Sequence, residues 1–193
     1  MLRIIVLNKP FKVLSQFTDK SPKKRPRRTL ANFIGIKDYR VAGRLDYDSE
    51  GLLILTNDGK LQNVITDPSK GIWKTYLVQV EGKISKKAIR DLKMGISLKD
   101  GLTRAAKVTS VSDPKLWDRN PPIRFRKSIP DSWIRISIRE GRNRQIRRMT
   151  SAVGFPTLRL VRIGIGELTL KNLQPGEFQF RSITPSLNIK IQT

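Results

Sequence analysis

The segment GLLILT at 51–56 is the feature that most constrains the fold, because it is apolar at nearly every position. A strand with one face open to water alternates apolar and polar residues, whereas this run is apolar on both faces. It therefore predicts a central strand that is covered above and below. The turn residues Asn57-Asp58-Gly59 follow it, and KLQNVITDP then reads as a helix that stops at Pro68.

Other segments carry strand or helix patterns of ordinary length. KTYLVQV (74–80) alternates, and SWIRISIR (132–139) places Ile134, Ile136 and Ile138 on a core face and Arg135, Ser137 and Arg139 on the other. Further strands are expected at 2–7, 157–165 and 167–170, and helices at 29–36, from Ser85 to Met94, and at 143–153. This order predicts an α+β fold with a mixed, largely antiparallel central sheet flanked by a few helices.

The charge balance points to a polyanionic partner. The 193 residues contain 39 Lys and Arg against 16 Asp and Glu, a net charge of +23. Such an excess repels itself, and binding to nucleic acid relieves the repulsion. No run reaches the roughly 18 apolar residues that a membrane-spanning helix needs, and the N-terminus does not resemble a signal peptide. We therefore expect a cytoplasmic protein with no membrane partner.

The absence of cysteine and histidine excludes several kinds of chemistry. Without Cys there is no disulfide, thiol nucleophile or zinc ribbon, and without His there is no Ser-His-Asp triad or imidazole base. An enzyme built from this chain must therefore use Asp, Glu, Ser, Thr, Tyr or Lys. A magnesium site on oxygen ligands stays open, although no tight carboxylate cluster indicates one.

The stretch GRLDYDSEG (43–51) places acidic residues directly before the central strand. The edge of a buried strand can hold a loop carboxylate rigidly, and the neighbouring Arg44 would keep Asp46 ionised. An ordinary Asp turn with an Arg neighbour is the alternative, and Asp48 and Glu50 are close enough to be the functional acid instead.

A second group of candidates lies in REGRNRQIRRM (139–149). The predicted helix has an apolar face, which leaves Arg144 and Arg148 on the exposed face and Arg147 at its edge. The exposed arginines (Arg142, Arg144 and Arg148) are either a solvated basic face or contacts to RNA phosphate. Tyr76 is predicted to point inward from 74–80, where tyrosine is usually a core residue.

Three segments in this order, GRLDYDSEGLLILTNDG, KTYLVQVEG and EGRNRQIRRMTSAVGFPTLRLVRIGIGELTL, closely resemble the motifs of the RsuA-type pseudouridine synthases. LNKPFKVLSQFTD (7–19) and RNPPIRFRKSIPDSWI (119–134) resemble the RluE group in particular, and the resemblance covers most of residues 4–178. It implies the pseudouridine synthase fold over 1–193 as a single catalytic domain, with room for two subdomains and no separate S4 RNA-binding domain. The basic loop at 20–28, which we expect to be flexible, receives no role from the resemblance.

The resemblance also implies an activity and its residues. Enzymes of this family isomerise uridine to its C5-glycoside without a cofactor, metal or energy source, and the RluE group acts on 23S ribosomal RNA. By the motif match, Asp46 is the catalytic carboxylate, Arg147 the basic residue that pairs with it, and Tyr76 the tyrosine that packs on the base. Arg44 would contact RNA around the flipped-out nucleotide. We expect a monomer that acts on ribosomal RNA or an assembling large subunit.

Two other functions fit parts of the same pattern. A catalytically silent RNA-binding or ribosome-assembly protein would share the basic charge, and an N-glycosidase would also apply a carboxylate to a glycosidic bond. The set of Asp46, Tyr76 and Arg147 favours the isomerase. Whether the carboxylate attacks C1′, attacks C6 or abstracts a proton is left open by the residues.

Overall fold

The computed structural model describes residues 2–21, 26–123 and 129–183. In chain order, the strands in these ranges are β1 (Leu2–Lys9), β2 (Arg40–Ala42), β3 (Glu50–Thr56), β4 (Lys74–Glu81), β5 (Ser97–Leu98), β6 (Gly101–Leu102), β7 (Lys107–Val111), β8 (Asp131–Ile138), β9 (Thr157–Ile165), β10 (Leu168–Thr169) and β11 (Phe178–Ile183). The α-helices are α1 (Gly59–Thr66), α2 (Lys86–Met94) and α3 (Gln145–Ala152). Two 3-10 turns cover Leu30–Asn32 and Pro68–Lys70.

The chain divides into two compact units. The first contains Met1–Ile72 together with Arg162–Thr193, and the second contains Trp73–Val161. The division falls inside β9, so the first half of this strand belongs to the second unit and its last four residues belong to the first. Helix α1 lies in the first unit, and helices α2 and α3 lie in the second.

In the first unit, β1 pairs antiparallel with β11 on one side and with β3 on the other, and β2 pairs antiparallel with β3. Every residue of β3 is buried, and the four residues Leu52 to Leu55 have no exposed surface. The predicted central strand is therefore confirmed. Asp58 caps α1 directly after it, because its carboxylate accepts the Leu61 N–H at 2.6 Å.

In the second unit, β8 pairs antiparallel with β4 along eight residues and with β7 along five. The alternation predicted at 132–139 is confirmed, since Ile134, Ile136 and Ile138 are buried while Arg135 is exposed. Helix α2 contacts β7, begins after Ser85, whose hydroxyl accepts the Ala88 N–H, and ends at Gly95 as predicted. The short hairpin β5–β6 turns at Lys99-Asp100.

Some local predictions were wrong. The helix predicted at 29–36 is a 3-10 turn at Leu30–Asn32 only. Leu30 and Ile34 are both buried, and their spacing of four resembles a helix face, but Phe33 leaves the helical conformation and its N–H bonds to the Leu30 carbonyl at 3.0 Å, the i to i−3 pattern of a 3-10 turn. The helix predicted from about 143 begins two residues later, at Gln145, and β11 (Phe178–Ile183) lies in a segment for which no strand was predicted.

The predicted fold class is confirmed. The pairs β1–β11, β1–β3, β2–β3, β4–β8 and β7–β8 are antiparallel, and an isolated bridge between Val13 and Arg28 is parallel, so the architecture is α+β with mixed, largely antiparallel pairing and a few helices. Residues 22–25 of the expected flexible loop at 20–28 lie outside the described residues. Among the residues that are described, no helix is long and apolar enough to cross a membrane.

Candidate active site

Asp46 lies in the loop between β2 and β3, and a buried arginine holds the start of this loop. Arg162 is 2% exposed, and its guanidinium donates from Nε to the Leu52 carbonyl at 2.8 Å and from Nη2 to the Gly43 carbonyl at 2.7 Å. These two bonds join the beginning of the loop to the strand that follows it. A hydrogen bond from a charged donor is stronger than one from a neutral donor, so these bonds fix the position of the start of the loop.

The segment after β1 holds the rest of the same loop. The Ser15 hydroxyl donates to the Leu45 carbonyl at 2.7 Å and accepts the Leu45 N–H at 3.1 Å. The Lys12 N–H donates to the Tyr47 carbonyl at 2.9 Å, and the Ser49 N–H donates to the Asp46 carbonyl at 3.1 Å. The backbone is therefore bonded on both sides of Asp46, which fixes the place from which its carboxylate projects.

A buried lysine organises the segment that contacts the loop. Lys9 has no exposed surface, and its ammonium donates to the Pro10 carbonyl at 2.9 Å and to the Val13 carbonyl at 2.8 Å. Burial lowers the pKa of Lys9 to about 7, although the charges of Glu50, Asp48 and Asp46 act in the opposite direction. Sequence reasoning missed this residue, because Lys9-Pro10 indicated only the end of a strand.

Burial separates the three acidic candidates. Asp46 and Asp48 are half-buried in the loop, whereas Glu50 is 1% exposed and lies inside β3. A buried carboxylate in a central strand cannot reach a nucleotide, so Asp46 and Asp48 stay the candidates among these three. Arg44 is exposed beside them, as an RNA-contacting residue must be.

Tyr76 lies on β4 in the second unit, opposite Ile136 of β8. It is 8% exposed and shares the buried face of the sheet with Val78 and Val80, which have no exposed surface. The inward orientation predicted from the alternation is therefore confirmed. The role of its hydroxyl stays a prediction.

A polar brace that the sequence did not reveal sets the start of α3. Gln145 is buried, and its amide donates to the buried carboxylate of Glu140, which also accepts the Arg104 N–H at 3.0 Å. The Gln145 side-chain oxygen accepts the Arg142 N–H at 3.1 Å. The brace fixes the helix from which Arg147 projects, half-buried at the edge of the packed face as predicted.

The three arginines of this segment that were predicted to contact RNA have different surroundings in the structure. Arg148 donates from both terminal nitrogens to the Asp100 carboxylate, at 2.8 and 3.0 Å, and this pairing lowers the pKa of Asp100. Arg142 donates to the backbone carbonyls of Asp100, Gly101 and Leu102. Both guanidiniums thus hold the β5–β6 hairpin. Arg144 is exposed and precedes α3 in a left-handed conformation instead of lying within it.

The sequence of this chain matches one known protein family over most of its length. The family model described as RNA pseudouridylate synthase matches residues 3–152. The chain belongs to this family of isomerases. Across the described part of the chain, no group of three or more acidic, histidine or cysteine side chains is arranged to hold a metal ion.

Individual proteins similar to this chain indicate which group of the family it resembles most. The Ribosomal large subunit pseudouridine synthase E of Vibrio vulnificus is 55% identical over 177 residues, which are 92% of this chain and 74% of the relative. The protein of the same description from Xanthomonas campestris pv. campestris is 50% identical over 187 residues, covering 95% of this chain and 99% of the relative. The resemblance to the RluE group is confirmed.

A solved structure supports the fold. The crystal structure described as that of a pseudouridylate synthase aligns with a TM-score of 0.77 at 27% identity, over 94% of this chain and 71% of that chain. The pseudouridine synthase fold predicted from the motifs is therefore confirmed.

Proposed function

We propose that this chain isomerises a specific uridine of 23S (large-subunit) ribosomal RNA to pseudouridine and that Asp46 is its catalytic carboxylate. The substrate class is supported by the relatives at 50–55% identity, which are described as large-subunit synthases. The observation that carries the choice of residue is the loop at 43–49, which Arg162, Ser15 and Lys12 hold on both sides of Asp46.

The reaction exchanges one glycosidic bond for another. The N1–C1′ bond breaks, the uracil turns in the site, C5 bonds to C1′, the proton on C5 leaves, and N1 takes up a proton, so the product is an isomer of the substrate. A carboxylate can support this chemistry as a nucleophile at C1′ or C6, as a base, or as an anion beside the positive charge that develops on the sugar. Each route needs an ionised Asp46 in a fixed position, and none needs histidine or cysteine.

Tyr76 and Arg147 are the partners we assign to Asp46 in acting on the same uridine. Tyr76 would pack its ring on the uracil, and its phenol would move the proton that leaves C5. Arg147 would keep the carboxylate ionised. The target base must leave the RNA stack to be reached, which costs a few kcal/mol that phosphate contacts offset. Arg44 and Arg144, both exposed, are proposed to supply such contacts, and Arg142 and Arg148 to add to them from the hairpin they hold.

Product analysis tests this function. Ribosomal RNA from cells lacking the protein should contain one unmodified uridine at a position where wild-type RNA has pseudouridine, and expression of the chain should restore it. Unchanged modification at every position would favour a silent RNA-binding protein, and abasic sites made by the purified chain would favour an N-glycosidase. We further propose that the protein acts as a cytoplasmic monomer on ribosomal RNA or an assembling large subunit.

A further inference from the structure

One face of the sheet formed by β4, β8 and β7 carries exposed cations on β7 and β8, whereas Leu77 of β4 on the same face is buried. Its cations are Lys107 on β7, Arg135 on β8 and Arg139 directly after β8; Lys107 and Arg135 are exposed and Arg139 is half-buried. The opposite face of the same strands is buried, with Val78, Ile136 and Val108 at 0–1% exposure. We call the first surface the open face. It is not used by any residue assigned to the isomerisation.

The register places these cations close together. Lys107 lies opposite Ser137, which lies between the two arginines on β8. Four residues of extended chain separate Arg135 from Arg139, a distance of about 13 Å at roughly 3.3 Å per residue. The three charges therefore form a patch across two strands, long enough to follow successive phosphates of one nucleic acid strand.

An aromatic ring holds one end of the patch. Trp73, directly before β4, has the Lys107 ammonium 4.7 Å and the Arg139 guanidinium 4.9 Å from its ring centroid. Both cations thus lie against one indole ring, where cation–π attraction can hold them. In the part of the chain that the structure describes, no carboxylate pairs with either cation or with Arg135.

The remaining side chains of the open face also fit RNA. Hydroxyls of Thr75 and Ser137 meet at 2.9 Å in its middle, and half-buried Trp133 lies at the far end. Two acidic residues, Asp131 and Glu81, lie opposite each other at the same far end, and Asp131 accepts a hydrogen bond from Gln79. Uncompensated cations with hydroxyls and indole rings match a phosphate backbone with stackable bases, whereas an apolar partner would leave the charges desolvated.

We propose that the open face is a second RNA-contact surface, which binds the phosphate backbone of the substrate RNA outside the nucleotide that is isomerised. This inference rests on the proposed function, because it assigns the open face to the same large-subunit ribosomal RNA. It adds affinity and register on the RNA, and it takes no part in the bond exchange.

Salt-dependent binding tests the open face. We would combine Lys107→Gln, Arg135→Gln and Arg139→Gln and measure binding of a protein-free large-subunit rRNA fragment between about 50 and about 200 mM salt. Each phosphate that the variant no longer neutralises should reduce the slope of log K against log salt by about 0.7–0.9, so the slope of the triple variant should be smaller by about two units. The RNA concentration at half-maximal rate should rise, with a smaller effect on the rate at saturation.

The matched control removes three charges from α2 in the same unit by Lys86→Gln, Arg90→Gln and Lys93→Gln, which are all exposed. Equal salt slopes for the two triple variants would overturn the proposal. Wild-type RNA binding by the open-face variant would also overturn it, and would leave an acidic protein or a second copy of this chain as the occupant of the open face. If the triple variant fails to fold, the three single variants serve instead, and each should have a salt slope smaller by about 0.7–0.9 than that of wild type. Absence of pseudouridine with wild-type protein, with the slopes still separated, would refute the proposed function and not the RNA contact.

Discussion

At the scale of single residues, the phenol of Tyr76 gives the sharpest test of mechanism. Tyr76→Phe keeps the ring and its stacking face, so RNA binding should survive. If the hydroxyl moves the C5 proton, turnover should fall by the roughly 10²–10⁴ typical of a lost acid–base group. Release of tritium from 5-tritiated uridine in a minimal RNA hairpin reports this step directly.

Tyr76→Ala serves as the comparison for the Phe variant, because it removes the ring as well as the hydroxyl. A Tyr76→Phe enzyme that releases tritium at the wild-type rate, beside a damaged Tyr76→Ala enzyme, would restrict Tyr76 to positioning the base. The 8% exposure of Tyr76 and its inward direction on β4 motivate the proton-transfer role, since a buried phenol needs a hydrogen-bond partner.

Lys9 predicts a pH dependence of stability. Its pKa is lowered by burial to about 7 in the folded protein, below the ordinary value of 10.5. Between these values the unfolded chain binds a proton that the folded chain lacks, so this residue makes the folding free energy more favourable as the pH rises from 7 to 10.5. Relative to Lys9→Met, wild type should gain up to about 1.4 kcal/mol per pH unit in this window.

Urea unfolding of both proteins at several pH values from 7 to 9.5 measures the difference. A constant difference across this window would show that the ammonium, through its bonds to Pro10 and Val13, keeps its ordinary pKa in the folded state. The Met variant is also expected to be less active, because it loses the two bonds that shape the segment contacting the Asp46 loop.

At the scale of elements, Gly51 determines how closely β3 approaches the backbone of Arg162. Its φ is +101°, and a Cβ added there would lie 2.3 Å from the Arg162 carbonyl oxygen. Gly51→Ala should therefore destabilise the protein by about 3 kcal/mol, because the clash is with backbone and the conformation disfavours a side chain. Gly59→Ala, where a Cβ meets nothing within 4 Å, is the matched control.

Thermal unfolding of the two glycine variants decides this point. Gly59 begins α1, where alanine is the better helix former, so its replacement should be neutral or slightly stabilising. Equal melting temperatures for both variants would mean that β3 can shift away from Arg162. The hydrogen bonds from Arg162 would then not hold the loop at 43–49 rigidly.

Helix α3 carries two adjacent arginines that should behave differently. Arg147→Gln should lower the single-turnover rate at saturating RNA, because Asp46 would lose the cation proposed to keep it ionised. Arg148→Gln should mainly weaken RNA binding and reduce the salt slope by about one unit. Because Arg148 is bound to Asp100, Asp100→Asn is the control: it loosens the same hairpin without removing a cation. Similar single-turnover rates for Arg147→Gln and Arg148→Gln would contradict this division.

Elements with strong periodicity could be predicted from the sequence, and elements defined by distant partners could not. Strands β3, β4 and β8 and helix α2 followed from apolar patterns and a cap. Strand β11 was missed because its burial depends on pairing with β1, far away in sequence. For the same reason the motifs indicated Asp46 and Tyr76, but not Lys9, Arg162 or Gln145, whose importance lies in carbonyls and carboxylates that the fold brings to them.

At the scale of the whole molecule, the excess of positive charge and the rigid acidic loop serve one purpose. A net charge of +23 favours RNA broadly, and such attraction is not specific by itself. Two relatives that cover most of this chain are large-subunit synthases by description, which supports the proposal that large-subunit ribosomal RNA is the substrate. In the function we propose, the positive charge attracts the RNA and the carboxylate of Asp46 carries out the reaction.

The most direct test of this account is single-turnover pseudouridine formation by purified wild type and Asp46→Asn on large-subunit ribosomal RNA from cells lacking the protein. The amide keeps the shape of the side chain and removes its charge. We predict that wild type converts one uridine, while Asp46→Asn binds the RNA with similar affinity, folds normally and forms no detectable pseudouridine. Conversion by Asp46→Asn within about tenfold of wild type would contradict the central claim and move the catalytic role to another residue, with Asp48 the next to test.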